Sequence, residues 1–301
     1  MDDIERIRER RDNVEAIEPV VNSMRTISAG GWRQALARME ASRRYCSYLE
    51  RALALSVPRV PARVLGTLGI ASAVIPARAP LMLVISSQRG LCGAYNETVA
   101  QGAERLITAQ SLQSDVVHIG VLGARAGAHL RRLGREIAHE WPLPTSRVAD
   151  MPLVASMSAD LRDELDDGRC DAIYVVYSPY RADSVSPPVA ERWLPVDLSM
   201  LPRPPSEPSQ VFYEGDPEIL LQRAIDGWAI GRLYRMVMEA AASEQAARYR
   251  AMETASGNLK RMTEELTLQY HSARQHAITM EMLDLASGVE GSRPTQEEVE
   301  D

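Results

Sequence analysis

The sequence predicts a mixed α/β protein: a long antiparallel coiled coil of N- and C-terminal helices plus a central Rossmann-like α/β domain. Three observations lead to this prediction. Apolar residues recur at helical spacing near both ends of the chain, short continuous apolar runs occur in its middle, and prolines separate these regions. A chain of 301 residues is also long enough to bury a substantial core.

The N-terminal segment, residues 1–57, is predicted to be one long helix. Its apolar residues are spaced mostly three, four or seven apart, which is typical of a helix with a single buried seam. At 1.5 Å per residue, such a helix spans roughly 80 Å. Pro19 lacks a backbone donor and is expected to kink or divide it. Gly30 and Gly31 should each weaken it by about 1 kcal/mol relative to alanine.

The middle segment, residues 75–200, has the alternation of strands and helices that indicates a parallel sheet. Short apolar runs bounded by turn residues favour buried strands, and helical stretches lie between them. The predicted strands are Leu81–Ile85, Val116–Leu122, Ala172–Tyr177 and Val189–Leu194, and the predicted helices are Asn96–Gln110, Ala124–Leu133 and Met151–Asp166.

The C-terminal segment, residues 216–288, is predicted to be a second long helix. Asp216 is a suitable N-cap, Pro217 fits the first turn, and Glu218 complements the positive end of the helix dipole. Without an interior proline, the helix is expected to continue to about Ala286, roughly 105 Å. Residues 289–301 are polar and acidic and are expected to be disordered.

Neither long helix can bury its apolar stripe alone, so the two are expected to pair antiparallel, with Met24 near residues 266–270. The alternative is a helical bundle in which Pro19 and the paired glycines break the long segments into shorter helices.

Composition and motifs argue against several classes of function. The formal net charge of −7 disfavours a general nucleic-acid binder. Three scattered cysteines form no metal-binding pair, no apolar run reaches membrane-spanning length, and no catalytic constellation stands out. The turn around Gly90, Cys92 and Gly93 lacks the spacing of a phosphate loop, so these residues are assigned a structural role. No cofactor or metal site is predicted.

Two sequence blocks carry a resemblance to a known family. One is Arg89-Gly90-Leu91-Cys92-Gly93 followed by Asn96. The other comprises Ala242-Ser243-Glu244-Gln245-Ala246-Ala247-Arg248, Met252, Asn258, Leu266-Thr267-Leu268, Tyr270, Ala273-Arg274-Gln275, Ala277-Ile278-Thr279 and Glu281. With looser matches in the first helix, including Met24, the chain resembles the gamma subunits of F-type ATP synthases over its whole length.

The resemblance implies a non-catalytic central rotor shaft that couples ion-driven rotation to ATP synthesis or hydrolysis. The implied partners are the alpha and beta subunits of the catalytic head, the epsilon subunit and the membrane c-ring. The implied location is peripheral, on the cytoplasmic face of the bacterial inner membrane. The resemblance also implies that the head is contacted by Arg274, Gln275, Thr279, Glu281 and Met24. The alternative is a small α/β ligand-binding or enzyme domain with a helical dimerisation arm.

The first helix departs from the family pattern after Met24. Where family members are usually basic and rich in alanine, this chain has Ser28-Ala29-Gly30-Gly31-Trp32, and Pro19 is unusual. These departures indicate a divergent branch and leave contacts of this stretch with the head open.

Overall fold

The computed structural model describes residues 2–66, 70–71, 77–111, 113–144, 148–202 and 214–291. The chain divides into two compact units. One unit joins Met1–Met24 to Met252–Asp301, and the other is Arg25–Ala251. The acidic tail predicted over residues 289–301 lies outside the described residues from 292 onward.

The described elements follow the predicted order of long helix, α/β middle and long helix. They are α1 Asp2–Ser56, α2 Ala62–Leu65, β1 Ile70–Ala71, β2 Pro80–Ile85, α3 Tyr95–Ser111, β3 His118–Leu122, α4 Ala124–Arg132, β4 His139–Trp141, α5 Met151–Asp166, β5 Ala172–Tyr177, β6 Val189–Leu194, β7 Val196–Asp197 and α6 Pro217–Gly291. One-turn 3₁₀ helices occur at Val57–Arg59 and Leu198–Met200.

The main sheet has the strand order β4-β3-β2-β5-β6. Its first four strands are parallel, and β6 runs antiparallel to β5. The four predicted strands and three predicted helices are confirmed to within about two residues at each end. The sequence did not reveal β4 or the small two-stranded sheet of β1 and β7, because strands of two or three residues show no periodicity.

Alternate side chains of the buried strands feed two hydrophobic cores. On β2, Leu81, Leu83 and Ile85 face a core that also contains side chains of α1, α5 and α6. Met82 and Val84 face a second core beneath α3 and α4. This period-two division explains why the strand is an unbroken apolar run, since a sheet covered on both faces has no solvent side.

In the unit Arg25–Ala251, α1 and α6 run antiparallel. The Ser42 hydroxyl donates to the Gly231 carbonyl at 2.7 Å, and the Trp228 indole N–H donates to Glu50 at 3.2 Å. A Cβ added to Gly231 would lie 2.9 Å from the ring of Tyr45. Glycine at this position therefore allows the two helices to approach closely.

In the other unit the two helices are also antiparallel. The Ser256 hydroxyl lies 3.3 Å from Oδ1 of Asn22, and the Arg11 guanidinium lies 5.4 Å from the ring centroid of Tyr270. Antiparallel pairing is thus confirmed, but the predicted register is wrong. Residues near Met24 lie opposite the region of Ser256, as the contact between Ser256 and Asn22 shows. Tyr270 is instead contacted by Arg11.

The helical-bundle alternative is not observed, since α1 and α6 are each continuous. Pro19 lies inside α1 without ending it, and the Ser23 hydroxyl donates to the Pro19 carbonyl at 2.8 Å. A proline inside a helix disturbs only one hydrogen bond: it has no N–H to donate, and its ring pushes away the carbonyl of the residue four positions earlier. Residues on both sides can therefore remain helical when the partner helix buries their apolar side chains.

Candidate functional site

The family-matched polar residues near the end of α6 are all exposed. Arg274, Gln275, Thr279 and Glu281 lie within two to three turns of the helix. Within the described residues, neither Arg274 nor Glu281 has an ion-pair partner. The Thr279 hydroxyl donates to the Gln275 carbonyl at 2.9 Å, so that hydroxyl is already used inside its own helix. The side chains available to a partner are therefore a guanidinium, an amide and a carboxylate.

Large apolar side chains interleave with these polar groups and are also exposed. The exposed fractions are 43% for Ile278, 46% for Met280, 66% for Met282, 57% for Leu283 and 66% for Leu285. Single exposed apolar residues are ordinary, but a run of five in one stretch of helix is typical of a surface that another chain covers.

Met24, the fifth predicted contact residue, does not join this group. It is half-buried on α1, two residues from Asn22 and its contact with Ser256. Arg11, which contacts Tyr270, lies roughly 20 Å back along α1 at 1.5 Å per residue. Met24 and the polar residues of the α6 end therefore form two separate points on the molecule.

The glycine turn follows the carboxyl end of β2. Its left-handed residues are Leu91, with φ of 62°, and Gly93, with φ of 56°. Gly90, which the sequence suggested as a turn glycine, does not need positive φ, and an added Cβ there would touch only the Arg125 guanidinium at 3.5 Å. Leu91 is a non-glycine residue in the left-handed region, which costs conformational energy. Its side chain is 62% exposed and therefore packs little against the protein. Contacts from other residues must hold the turn in place.

Those contacts come from α6. A guanidinium nitrogen of Arg248 lies 3.3 Å from the carbonyl oxygens of both Arg89 and Gly90. The same guanidinium pairs with Glu244 at 2.6 Å, and both side chains are nearly buried. Burial raises the pKa of the Glu244 carboxyl, while the nearby Arg248 charge opposes that rise. The sequence signal for this pair is an acid and a base four residues apart within an alanine-rich stretch.

Cys92 is packed inside the turn. The Asn96 amide donates to its sulfur at 3.0 Å, and the Ser87 hydroxyl lies 2.6 Å from the Asn96 carbonyl oxygen. Burial raises the pKa of the Cys92 thiol, which disfavours the thiolate that a nucleophile needs. Among the described residues, no group of three or more His, Cys, Asp or Glu side chains is placed to hold a metal ion.

A second loop, residues 178–188 after β5, is also fixed to α6. The Ser178 hydroxyl lies 3.3 Å from that of Ser243, and Arg250 donates to the Ala182 carbonyl at 3.1 Å. Loops from the carboxyl ends of two adjacent parallel strands thus contact α6 through residues 243–250. These contacts attach the α/β sheet to the long helix at several points.

No helix among the described residues is both long and apolar enough to span a bilayer.

Comparison with known proteins identifies the family. The family model described as ATP synthase matches residues 3–291. The ATP synthase gamma chain of Anaeromyxobacter sp. (strain Fw109-5) is 27% identical, with 94% of this chain and 97% of that protein aligned. The gamma chain of Roseiflexus sp. (strain RS-1) is 29% identical, with 94% and 96% aligned.

Solved structures agree in fold. A chain from the cryo-EM structure of the Euglena gracilis mitochondrial ATP synthase, containing OSCP, F1 and the c-ring, has a TM-score of 0.64 at 15% identity over 99% of both chains. A chain from the Tetrahymena thermophila mitochondrial central stalk and c-ring has a TM-score of 0.57 at 16% identity, covering 79% of this chain and 99% of the other. The chain therefore belongs to the family of ATP synthase gamma chains, the central rotor shafts of rotary ATP synthases in which the beta subunits carry out catalysis.

Proposed function

We propose that the exposed end of α6 is where this shaft engages the beta subunits, and that Arg274, Gln275, Thr279 and Glu281 form the contact. The observation that carries this proposal is the exposure of these polar groups together with five large apolar side chains. A rotating tip needs an apolar surface that slides. It also needs a few directional bonds that can be made at one angle and lost at the next.

Each polar residue has a distinct chemical capacity. Arg274 offers a fork of charge-assisted hydrogen bonds to a carboxylate or to loop carbonyls, and Gln275 both donates and accepts. Glu281 accepts only. Thr279 contributes mainly by contact, because its hydroxyl is held by the Gln275 carbonyl. Contacts that differ between rotor angles shift each beta subunit toward a different conformation, and this difference transmits rotation to the nucleotide sites.

The remaining partners follow the family's assembly. The alpha and beta subunits surround the paired ends of residues 1–57 and 216–288, and residues 75–200 sit below the head on the epsilon subunit and the c-ring. The bacterial relatives support a place on the cytoplasmic face of the inner membrane. The solved relatives, whose structures contain F1 or the c-ring, support the same kind of assembly.

Two further residue groups have proposed roles. Met24 forms a separate point of contact with the head. It lies far along α1 from Arg11, the residue that contacts Tyr270 near the α6 end. Gly90, Cys92 and Gly93 form a structural turn rather than a nucleotide site. The Arg248 guanidinium occupies the carbonyls of this turn, and burial keeps the Cys92 thiol protonated.

The tip proposal is tested by replacing Arg274 and Gln275 with alanine in the assembled complex. We expect normal subunit ratios, including one copy of this chain per three beta subunits, with ATP turnover and coupled ion transport reduced about tenfold (roughly 1.4 kcal/mol). The matched control replaces Gln101 and Arg105, an exposed glutamine and arginine on α3, and should leave both rates unchanged. Full turnover and full coupling in the assembled Arg274 and Gln275 variant would show that these are ordinary surface groups.

A further inference from the structure

Residues 33–63 are strongly basic in a chain that is acidic overall. The stretch holds seven arginines and two glutamates, whereas the whole chain has a formal net charge of −7. The arginines are Arg33, Arg38, Arg43, Arg44, Arg51, Arg59 and Arg63, and the glutamates are Glu40 and Glu50. The chain has a single lysine, Lys260, so its positive charge is carried almost entirely by guanidinium groups. A local surplus of this kind attracts anionic groups.

Within the described residues, the charge of Arg43, Arg44 and Arg51 is only partly neutralised. Arg43 and Arg44 share the carboxylate of Glu40, at 3.4 and 3.5 Å, and Arg43 also lies near Glu239. Glu50 accepts the indole N–H of Trp228 instead. Within the part of the chain that the structure describes, Arg51 has no carboxylate partner. Its guanidinium lies 5.0 Å from the ring centroid of Tyr48.

The basic face, defined as Arg43, Arg44, Tyr48 and Arg51, lies on the outer side of α1. The Arg44 side chain is 72% exposed and Tyr48 is 65% exposed. Positions 44, 48 and 51 are spaced by four and three residues, which places them on one stripe of the helix. The opposite side of α1 is buried, since Ser42 donates to the Gly231 carbonyl and Leu53 is fully enclosed.

We infer that the basic face is a docking surface for an acidic segment of another protein subunit, one that presents carboxylates about 10 Å apart on either side of a flat surface for Tyr48. The spacing follows from the two helical turns between Arg44 and Arg51 at 1.5 Å per residue. This inference rests on the proposed function, because the partner is another subunit of the rotary complex.

The composition of the face favours a protein partner over a lipid surface. Tyrosine and arginine are, with tryptophan, the residues most enriched at the energetic centres of protein interfaces. Stacking on Tyr48 holds the Arg51 fork in one orientation, which helps to bind a carboxylate in fixed geometry and is not needed for attraction to a charged membrane. The face holds three arginines, fewer than the four to eight basic residues of typical lipid-binding clusters, and two of them share the charge of Glu40.

The test uses the scarcity of lysine in this chain. Arg51→Lys keeps the charge and introduces an amine, and a zero-length carbodiimide reagent joins amines to touching carboxylates. In the purified complex, we expect the amine introduced at position 51 to be linked to an Asp or Glu of another subunit, identified by mass spectrometry. Arg105→Lys, on the exposed side of α3, is the matched control and should give at least about tenfold less of any such product.

A second variant measures what the face contributes. Arg44→Glu with Arg51→Glu should make the cross-linked subunit leave the tagged chain at least about tenfold faster, and more so at low salt. Arg105→Glu with Arg132→Glu makes the same charge change on the α/β domain and should have little effect.

Links from the amine of the Arg51→Lys variant only to this chain's own carboxylates, or no links at all, overturn the inference. It is also overturned if the complex binds phosphatidylglycerol vesicles through this face and links to no subunit. The cross-linking and dissociation measurements do not depend on ATP turnover. The docking inference can therefore fail while the tip proposal holds, and the tip proposal can fail while the docking inference holds.

Discussion

Gly227 and Gly231 of α6 and Gly30 of α1 differ in what surrounds them. In α6, a Cβ on Gly227 or Gly231 would lie 2.9 Å from the Tyr45 side chain, so both positions exist to let α1 approach. In α1, a Cβ on Gly30 would meet nothing within 4 Å. Packing therefore explains Gly227 and Gly231, and also Gly31 of α1 beside Gln245, but not Gly30 or Gly257, where an added Cβ would meet nothing within 4 Å. Gly30 is therefore a weak point of α1 that no close contact requires, whereas Gly227 and Gly231 of α6 lie at close contacts.

The ion pairs of the two helices differ in how deeply they are buried. The ion pairs of α1, such as Arg11 with Glu15, lie at the surface, where pairs contribute roughly 0–1 kcal/mol. The pair of Glu244 and Arg248 on α6 is nearly buried and also holds two loop carbonyls. Removing one member of a buried pair leaves an uncompensated charge, so α6 should be far more sensitive to single substitutions than α1.

The largest expected effect is therefore at Glu244. We expect Glu244→Ala to lower the free energy of unfolding by about 3–5 kcal/mol, because Arg248 would remain buried without its carboxylate. Denaturant unfolding of the chain measures this, with Glu15→Ala on α1 as control, for which a change of less than about 1 kcal/mol is expected. Equal losses at the two positions would contradict the contrast between the helices.

The next effect concerns the close approach of the helices. Gly231→Ala should destabilise the chain by about 1–3 kcal/mol, because the new methyl group would press on the Tyr45 ring at 2.9 Å and the Cys46 sulfur at 3.2 Å. Tyr45 is half exposed and can yield, whereas Cys46 is buried. Tyr45→Ala combined with Gly231→Ala should recover part of the loss. No recovery would mean that the strain lies at Cys46 instead.

The fold was largely readable from the sequence, because long stripes and unbroken apolar runs report burial directly. One example is the predicted N-cap Asp216, whose side chain accepts the N–H of Glu218 at 2.8 Å. Another is the helix Met151–Asp166, which has its predicted bounds. The helix register was not readable. Both stripes repeat at steps of three and four, so sliding one helix by several turns still matches apolar to apolar, and only contacts such as Ser42 with Gly231 decide it.

The candidate sites were readable only in part. The polar residues of the α6 end were predicted as a contact site from the family motif alone, and their exposure could not be deduced from periodicity. The role of Arg248 was missed, because its contacts with the Arg89 and Gly90 carbonyls join positions far apart in the sequence. Leu91 as the left-handed residue was missed for another reason: glycine is the default choice there, and Gly90 and Gly93 lie within two residues of it.

The smallest expected effect tests whether α1 is weak at Gly30. Gly30→Ala should stabilise the chain by about 0.5–1 kcal/mol, because alanine restricts the unfolded chain, favours helix and meets open space in the fold. Hydrogen exchange in the assembled complex should first show residues 20–32 opening at least about tenfold more often than residues 240–252, since Pro19, Gly30 and Gly31 weaken only α1. The substitution should then slow exchange in residues 26–34 by roughly threefold to fivefold and leave residues 240–252 unchanged.

Gly31→Ala is the matched control, because its methyl group would press on the Gln245 side chain at 3.2 Å and should give a smaller gain or none. If both helices exchange equally in the wild-type complex, contacts with the head override local propensity, and the weak point exists only in the free chain. If Gly30→Ala also lowers coupled ion transport without disturbing assembly, flexibility at this position is part of how the shaft works.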